Sequence, residues 1–230
     1  MTGTEEKPRR VVRSFVRREG RLTAGQQRAL DELWPRYGVE AEGPVLDLDT
    51  LFGRQAPKVM EIGIGMGDAL AQMALENPDN DYIGVEVHRP GIGRVMARLD
   101  EQGSHNVRLF CHDAVEVLEQ RIAAESLDRV LIFFPDPWHK KRHHKRRLIQ
   151  PPFVELLRQK LKPGGVLHLA TDWEDYAMQM MDVLSNAPGF ANEAGKGRFA
   201  PRPDYRPVTK FEKRGQRLGH GIWDLLFRRL

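Results

Sequence analysis

Val59-Met60-Glu61-Ile62-Gly63-Ile64-Gly65-Met66-Gly67-Asp68 is an apolar run that breaks into a glycine-spaced turn and passes directly into helical spacing. The run predicts a strand over 59–62 followed by a helix over 68–76. Closely spaced glycines allow a tight turn and let a ligand approach the backbone with no side chain between. The alternation continues downstream, with strands at 82–87, 107–111, 129–134 and 166–170 and helices at 93–102, 114–123 and 152–161. A last helix over 173–185 leads into a Gly- and Pro-rich stretch, and 221–229 ends the chain as a strand. Strands and helices alternating at these lengths predict an α/β fold, a mostly parallel sheet covered on both faces.

The chain has 230 residues, 40% of them hydrophobic, enough for one sizeable core. Residues 1 to about 20 are polar and carry Arg9, Arg10, Arg13, Arg17 and Arg18; the first ten read as disordered in isolation. From Thr23, the spacing of Ala29, Leu30, Leu33 and Trp34 predicts a helix that docks on the main domain, with Pro35 and Gly38 closing it. The organisation is therefore a basic N-terminal arm with docking helix, residues 1–40, and a main domain, residues 41–230. A single cysteine, Cys111, provides no disulfide framework or thiolate metal site and fits a reducing compartment. Apolar runs such as 130–134 are too short to span a bilayer, and Glu5, Glu6 and Glu19 interrupt the N-terminal arginines where a leader would be apolar. The expectation is a cytoplasmic protein, a monomer in preference to a homodimer, with no membrane and no obligate protein partner.

In open α/β sheets ligands lie beyond the carboxyl ends of the strands, and four strand ends here carry an acid. Glu61 precedes Gly63, Gly65 and Gly67; Glu86 closes the second strand near the offset at which an acid reaches a ribose diol; Asp113 follows the third strand and Asp136 the fourth. A pyrophosphate would be repelled by Glu61, and the glycine pattern is G-x-G-x-G, not the dinucleotide G-x-G-x-x-G. Extra carboxylates suit a cationic, diphosphate-free cofactor. S-adenosylmethionine meets that requirement with an ammonium, a ribose diol and an exocyclic amine.

Asp136 stands between Pro135 and Pro137, which hold its backbone extended and aim its side chain. Four residues later begin six cations, Lys140, Lys141, Arg142, Lys145, Arg146 and Arg147, with His139, His143 and His144 interleaved and no acid from 139 to 147. A solvated helix face would mix signs; this run is placed to hold phosphates, and Arg142, His143, His144, Lys145, Arg146 and Arg147 are the candidate RNA-binding residues. Six neutralised phosphates would give a log–log salt slope of roughly −4 to −5. Histidines amid cations bind a metal poorly at neutral pH, so no metal is expected. Trp138 suits either base stacking or packing.

The stretch Phe133-Phe134-Pro135-Asp136-Pro137-Trp138-His139-Lys140-Lys141-Arg142-His143 resembles the bacterial tRNA (guanine-N7-)-methyltransferase family. The resemblance runs from Arg13-Ser14-Phe15-Val16-Arg17-Arg18 through Leu22-Thr23, Glu61-Ile62-Gly63, Gly84-Val85-Glu86 and Thr171-Asp172-Trp173 to Thr209-Lys210-Phe211-Glu212. It implies a Rossmann-like methyltransferase fold with a seven-stranded sheet, S-adenosylmethionine as cofactor and tRNA as partner, with the variable-loop guanosine conventionally numbered 46 as target. It also implies that Glu61, Glu86, Asp113 and Asp136 line the cofactor site, that Asp136 is catalytic, and that Lys140, Asp172, Thr209, Lys210, Phe211 and Glu212 contact the substrate. Lys210 and Glu212 read without it as a local salt bridge. Three other readings stay open on the residues alone: a methyltransferase for small molecules or proteins, a non-catalytic RNA-binding module on the same fold, and a nicotinamide dehydrogenase.

Overall fold

The computed structural model describes residues 14–15, 20–208, 212 and 221–230. The rest of the arginine-rich arm and Thr209, Lys210 and Phe211 lie outside the described residues.

Seven strands form one sheet: β1 (Lys58–Ile62), β2 (Asp81–Val85), β3 (Val107–Phe110), β4 (Leu127–Phe133), β5 (Leu161–Thr171), β6 (Phe190–Asn192) and β7 (Trp223–Arg229). Their spatial order is β3-β2-β1-β4-β5-β7-β6. The first five are parallel, and β7 runs antiparallel to both β5 and β6. β1 is paired on both edges, with Glu61 opposite Gly84 of β2 and Leu131 of β4. Because side chains alternate across a strand, Met60 and Ile62 face one core with Val130 and Ile132, while Val59 faces the other with Leu131 and Phe133. Glu61 shares the parity of Val59.

The helices are α1 (Ala24–Tyr37), α2 (Leu48–Phe52), α3 (Asp68–Glu76), α4 (Arg89–Glu101), α5 (Ala114–Arg121), α6 (Pro151–Lys160) and α7 (Glu174–Ser185), with a 3-10 turn over Lys141–Arg146. Thr23 and Gln26 form a reciprocal capping box at the start of α1. That helix packs along α4: Gln26 Nε2 donates to Pro90 O at 3.1 Å, Arg36 pairs with Asp100 at 2.6 Å, and the Tyr37 hydroxyl donates to Ser104 O at 3.0 Å.

Several boundaries differ from the reading of the sequence, three of them for a physical reason. Pro35 does not close α1, which runs through it to Tyr37 and ends at Gly38. α4 begins at Arg89, not at residue 93, because Pro90 suits a first helical turn and its glycines serve close packing, not chain breaking. β5 takes in Pro163, Gly164 and Gly165, a sequence that reads as a turn, past an irregularity in its pairing with β4. The short edge strand β6 and the single-turn α2 carry too little periodicity to be seen in sequence.

Gly63, Gly65 and Gly67 all have positive φ, at 78°, 58° and 73°, conformations that side chains disfavour. A Cβ on Gly91 would stand 2.0 Å from the carbonyl oxygen of Gly65, so that glycine lets α4 abut the turn. Gly91→Ala must displace that backbone. It is expected to destabilise the protein by roughly 1–3 kcal/mol, read as a lower urea midpoint, and to weaken ligand binding at the turn.

Candidate active site

A cavity of about 710 Å³ opens at the carboxyl ends of β1, β2, β3 and β4, and Gly63, Glu86, Asp113 and Asp136 line it. A second, of about 810 Å³, lies between α1 and the ends of β2 and β3, bordered by Trp34, Glu40 and Cys111. None of the four strand-end acids lines the second, so the chemistry belongs to the first.

Each acid has a distinct local bond pattern. Glu86 ties the glycine turn to its own strand end: Oε2 accepts from Gly65 N at 2.8 Å, and Oε1 accepts from Val87 N at 2.7 Å and His88 N at 3.0 Å. Asp113 caps α5 by accepting from Val115 N at 3.0 Å. Glu61 precedes Ile62 and Gly63, which line the cavity; it is only 3% exposed, and among the described residues its Oε2 has no partner. Burial, and secondly the charge of Glu86, push its carboxyl up to about 8.

That arrangement fits S-adenosylmethionine. A buried carboxylate oxygen without a donor, beside a second carboxylate, calls for a cation, and the ammonium of the cofactor is one. A Cβ built on Gly63 or Gly65 meets nothing within 4 Å, so the turn borders open space. Glu61 would receive the ammonium, Glu86 the ribose hydroxyls and Asp113 the adenine amine.

Asp136 is exposed at the mouth of the cavity, and its Oδ1 accepts from Trp138 N at 3.1 Å. Phe134 and Trp138, at φ 52° and 48°, are two of the three non-glycine residues with positive φ among the described residues. Such backbone costs on the order of 1–3 kcal/mol per residue and collects where geometry must be held. Phe134 N still donates to Ala170 O at 2.8 Å, which extends the pairing of β4 with β5 to the edge of the turn. Asp172 follows β5 on the neighbouring strand end, half-buried. The rings of His139 and Trp173 meet edge-on at 4.3 Å and join the two turns.

The cationic run does not form one solvated surface. Lys140, Lys141, Arg142 and Lys145 are exposed, whereas His143, His144 and Arg146 are half-buried. Partial desolvation, then Arg142 and Lys140, push His143 below its ordinary value, so it offers a neutral hydrogen-bonding ring and no charge near neutrality. Arg147 needs correction as an RNA-binding residue: it is 2% exposed and its guanidinium donates to Pro137 O, Gln179 Oε1 and Asp175 Oδ2 at 2.8, 2.6 and 2.5 Å. It braces the turn after Asp136 against α7. Glu212 is buried and accepts from Arg206 at 2.6 Å.

Ser14 and Phe15 line the cavity, a feature the sequence reading missed. The Trp138 indole donates to Ser14 O at 3.0 Å and Arg146 to Phe15 O at 3.0 Å, while the Arg146 guanidinium sits 3.9 Å from the centre of the Trp138 ring. Arg146 thus occupies one face of the indole, which favours packing over base stacking for Trp138. The sequence signal was Phe15, the one aromatic residue among the first twenty.

A family model described as "Putative methyltransferase" matches residues 55–225. A tRNA (guanine-N(7)-)-methyltransferase of Pseudomonas aeruginosa is 61% identical over 98% of this chain and 93% of its own length. An enzyme of the same name from Alcanivorax borkumensis is 60% identical over 95% of this chain and 91% of its own length. The chain belongs to the bacterial tRNA (guanine-N7-)-methyltransferase family. Membership of that family makes it an enzyme with S-adenosylmethionine as cofactor. Two solved structures, both under 20% identical, share the fold alone. The 16S rRNA methyltransferase KamB aligns at TM-score 0.61 with 13% identity, over 84% of this chain and 98% of its own. The 16S rRNA (adenine(1408)-N(1))-methyltransferase from Catenulisporales acidiphilia aligns at 0.56 with 16% identity, over 83% and 96%.

Glu61 yields a test with a defined sign. Between the ordinary value of 4.5 and about 8, the folded, unliganded protein holds a proton that the unfolded chain releases, so rising pH withdraws stability across that window. Glu61→Gln removes this loss. Its melting temperature is expected to gain on the wild type steadily from pH 5 to 8, while S-adenosylmethionine, which raises the wild-type value, no longer raises that of the variant.

Proposed function

We propose that the chain transfers the methyl group of S-adenosylmethionine to N7 of a guanine in tRNA, the variable-loop guanosine conventionally numbered 46, in the cytoplasm. The observation that carries this reading is one cavity lined by the strand-end acids Glu86, Asp113 and Asp136, with the exposed cations Lys140, Lys141, Arg142 and Lys145 following Asp136 in the chain. Near full-length identity of about 60% to enzymes named for this reaction supports it. Among the described residues no helix is long and apolar enough to cross a membrane.

S-adenosylmethionine supplies an electrophilic methyl group on a sulfonium. Guanine N7 has an in-plane lone pair and already accepts hydrogen bonds, so it needs no deprotonation and the site needs no strong base. The chain's contribution is to fix the base in line, worth roughly 7–11 kcal/mol, and to offset the positive charge that the base acquires. Asp136 would serve both purposes: Pro135, Pro137 and the Trp138 amide fix its carboxylate, and its charge would face the base. Lys140, Asp172 and the segment Thr209 to Glu212 would contact the nucleotide. Lys141, Arg142 and Lys145, with Lys140, would hold the flanking phosphates. Arg147 supports them from below by fixing the turn.

Four exposed cations on the turn correspond to a log–log salt slope of roughly −3 to −4, shallower than the full run of six implies. Lys141→Ala is expected to reduce the slope measured in tRNA filter binding by about one unit. Arg147→Ala should leave the slope unchanged and lower the melting temperature instead.

Asp136→Ala is expected to leave tRNA affinity nearly intact and to lower methyl transfer by about 100-fold or more. Labelled methyl transfer to unmodified tRNA, followed by cleavage specific for 7-methylguanosine, measures both the rate and the position. Unchanged turnover would remove Asp136 from the mechanism, and label without cleavage would remove the N7 assignment.

A further inference from the structure

On the sheet face opposite Leu167, Leu169, Leu225 and Phe227, His168 of β5 and Asp224 of β7 point toward the segment around Tyr205 and Arg206. His168, Arg206, Asp224 and Glu212 are all buried, with Arg206 and His168 fully so. The bonds form one chain. The Tyr205 hydroxyl lies 2.9 Å from His168 Nδ1, and His168 Nε2 lies 2.7 Å from Asp224 Oδ1. Arg206 donates through Nε and one terminal nitrogen to the two oxygens of Asp224, at 2.7 and 3.0 Å, and through the other to Glu212 Oε2 at 2.6 Å.

The protonation states are set by the partners. Burial pushes His168 below its ordinary value, so the ring is neutral. A carboxylate only accepts, hence Nε2 carries the hydrogen toward Asp224 and Nδ1 accepts from Tyr205. Burial also raises Tyr205 to about 12, which keeps its hydroxyl as the donor.

Such a network is an expensive way to cover a sheet. Apolar residues of similar volume would stabilise the fold at least as well. What it supplies is direction: the planar Arg206 fork is fixed on two strands through Asp224 and extends its last bond to Glu212, the final residue of the proposed substrate-contact segment. The same guanidinium carbon lies 5.9 and 5.8 Å from the ring centres of Phe133 and Phe134, where β4 passes into Pro135 and Asp136.

We propose that Arg206 is a positioning residue for methyl transfer, holding Glu212 in place relative to Asp136. This rests on the reading of Glu212 as a substrate contact. Arg206 itself touches neither reactant.

The test is a double-mutant cycle on the full chain with tRNA, at a temperature well below every melting transition. Arg206→Lys keeps the charge but loses the fork; Glu212→Gln keeps the shape but loses the charge. Arg206→Lys is expected to lower kcat by about 100-fold, the effect of a small misplacement of a reacting group, with the dissociation constants of S-adenosylmethionine and tRNA unchanged. Adding Glu212→Gln should cost nothing beyond the worse single variant. A folded Arg206→Lys protein with wild-type kcat, or losses that multiply in the double variant, would overturn the proposal. If Arg206→Lys does not fold, Asp224→Asn, which weakens the hold on Arg206 from outside the segment, replaces it with the same two outcomes. Absence of transfer by the wild-type protein would overturn the functional reading first, and the role of Arg206 with it.

Discussion

The pairing of β1 with β2 on one edge and β4 on the other is the constraint that creates the site. From β1 the chain fills the sheet outward through β2 to β3, then returns to add β4 and β5 on the opposite side. At that reversal the connections leave in opposite directions and a crevice opens beyond the strand ends. Parallel register then decides which residues meet there. Ile62 stands opposite Val85, so the glycine turn and Glu86 emerge side by side; Leu131 stands opposite Glu61, so β4 carries Asp136 up to the same opening.

Stability and function are in tension at Glu61. A buried carboxyl group whose Oε2 has no partner among the described residues, held neutral over most of the physiological range by that burial, does not stabilise the fold. It makes sense as a site held in readiness for a cation. Glu86 is arranged differently: three backbone N–H groups already satisfy it and in return fix the turn, so its position is set before any ligand arrives. Phe134 and Trp138, in left-handed backbone on either side of the Pro-Asp-Pro turn, add strain that the β4–β5 pairing and Arg147 hold in place.

The cationic run shows how one composition divides into two tasks. Arg146 and Arg147 turn inward, one against Trp138 and the backbone of Phe15, the other beneath the turn onto α7. Lys140, Lys141, Arg142 and Lys145 face solvent. Within the 3-10 turn from Lys141 to Arg146, three residues per turn place His143 and Arg146 on the inward side and Arg142 and Lys145 on the outward one.

By itself the sequence determined the alternating α/β order, the strand-end acids and the charge of the rim, since period-two strands, helical spacing and glycine turns are local properties of the chain. The helix α3 matches its sequence reading to the residue, because Gly67 and Asp68 mark its start chemically. Only the tertiary structure decided that Arg147 is internal, that Ser14 and Phe15 reach the cavity, and that Pro35 stays within α1. It alone joined His168, Asp224, Arg206 and Glu212, which come from separate parts of the sequence. Burial and partner choice for a charged side chain depend on which distant segment covers it. Pairing between residues 168 and 224 arises from strand register across the sheet, which no local pattern encodes.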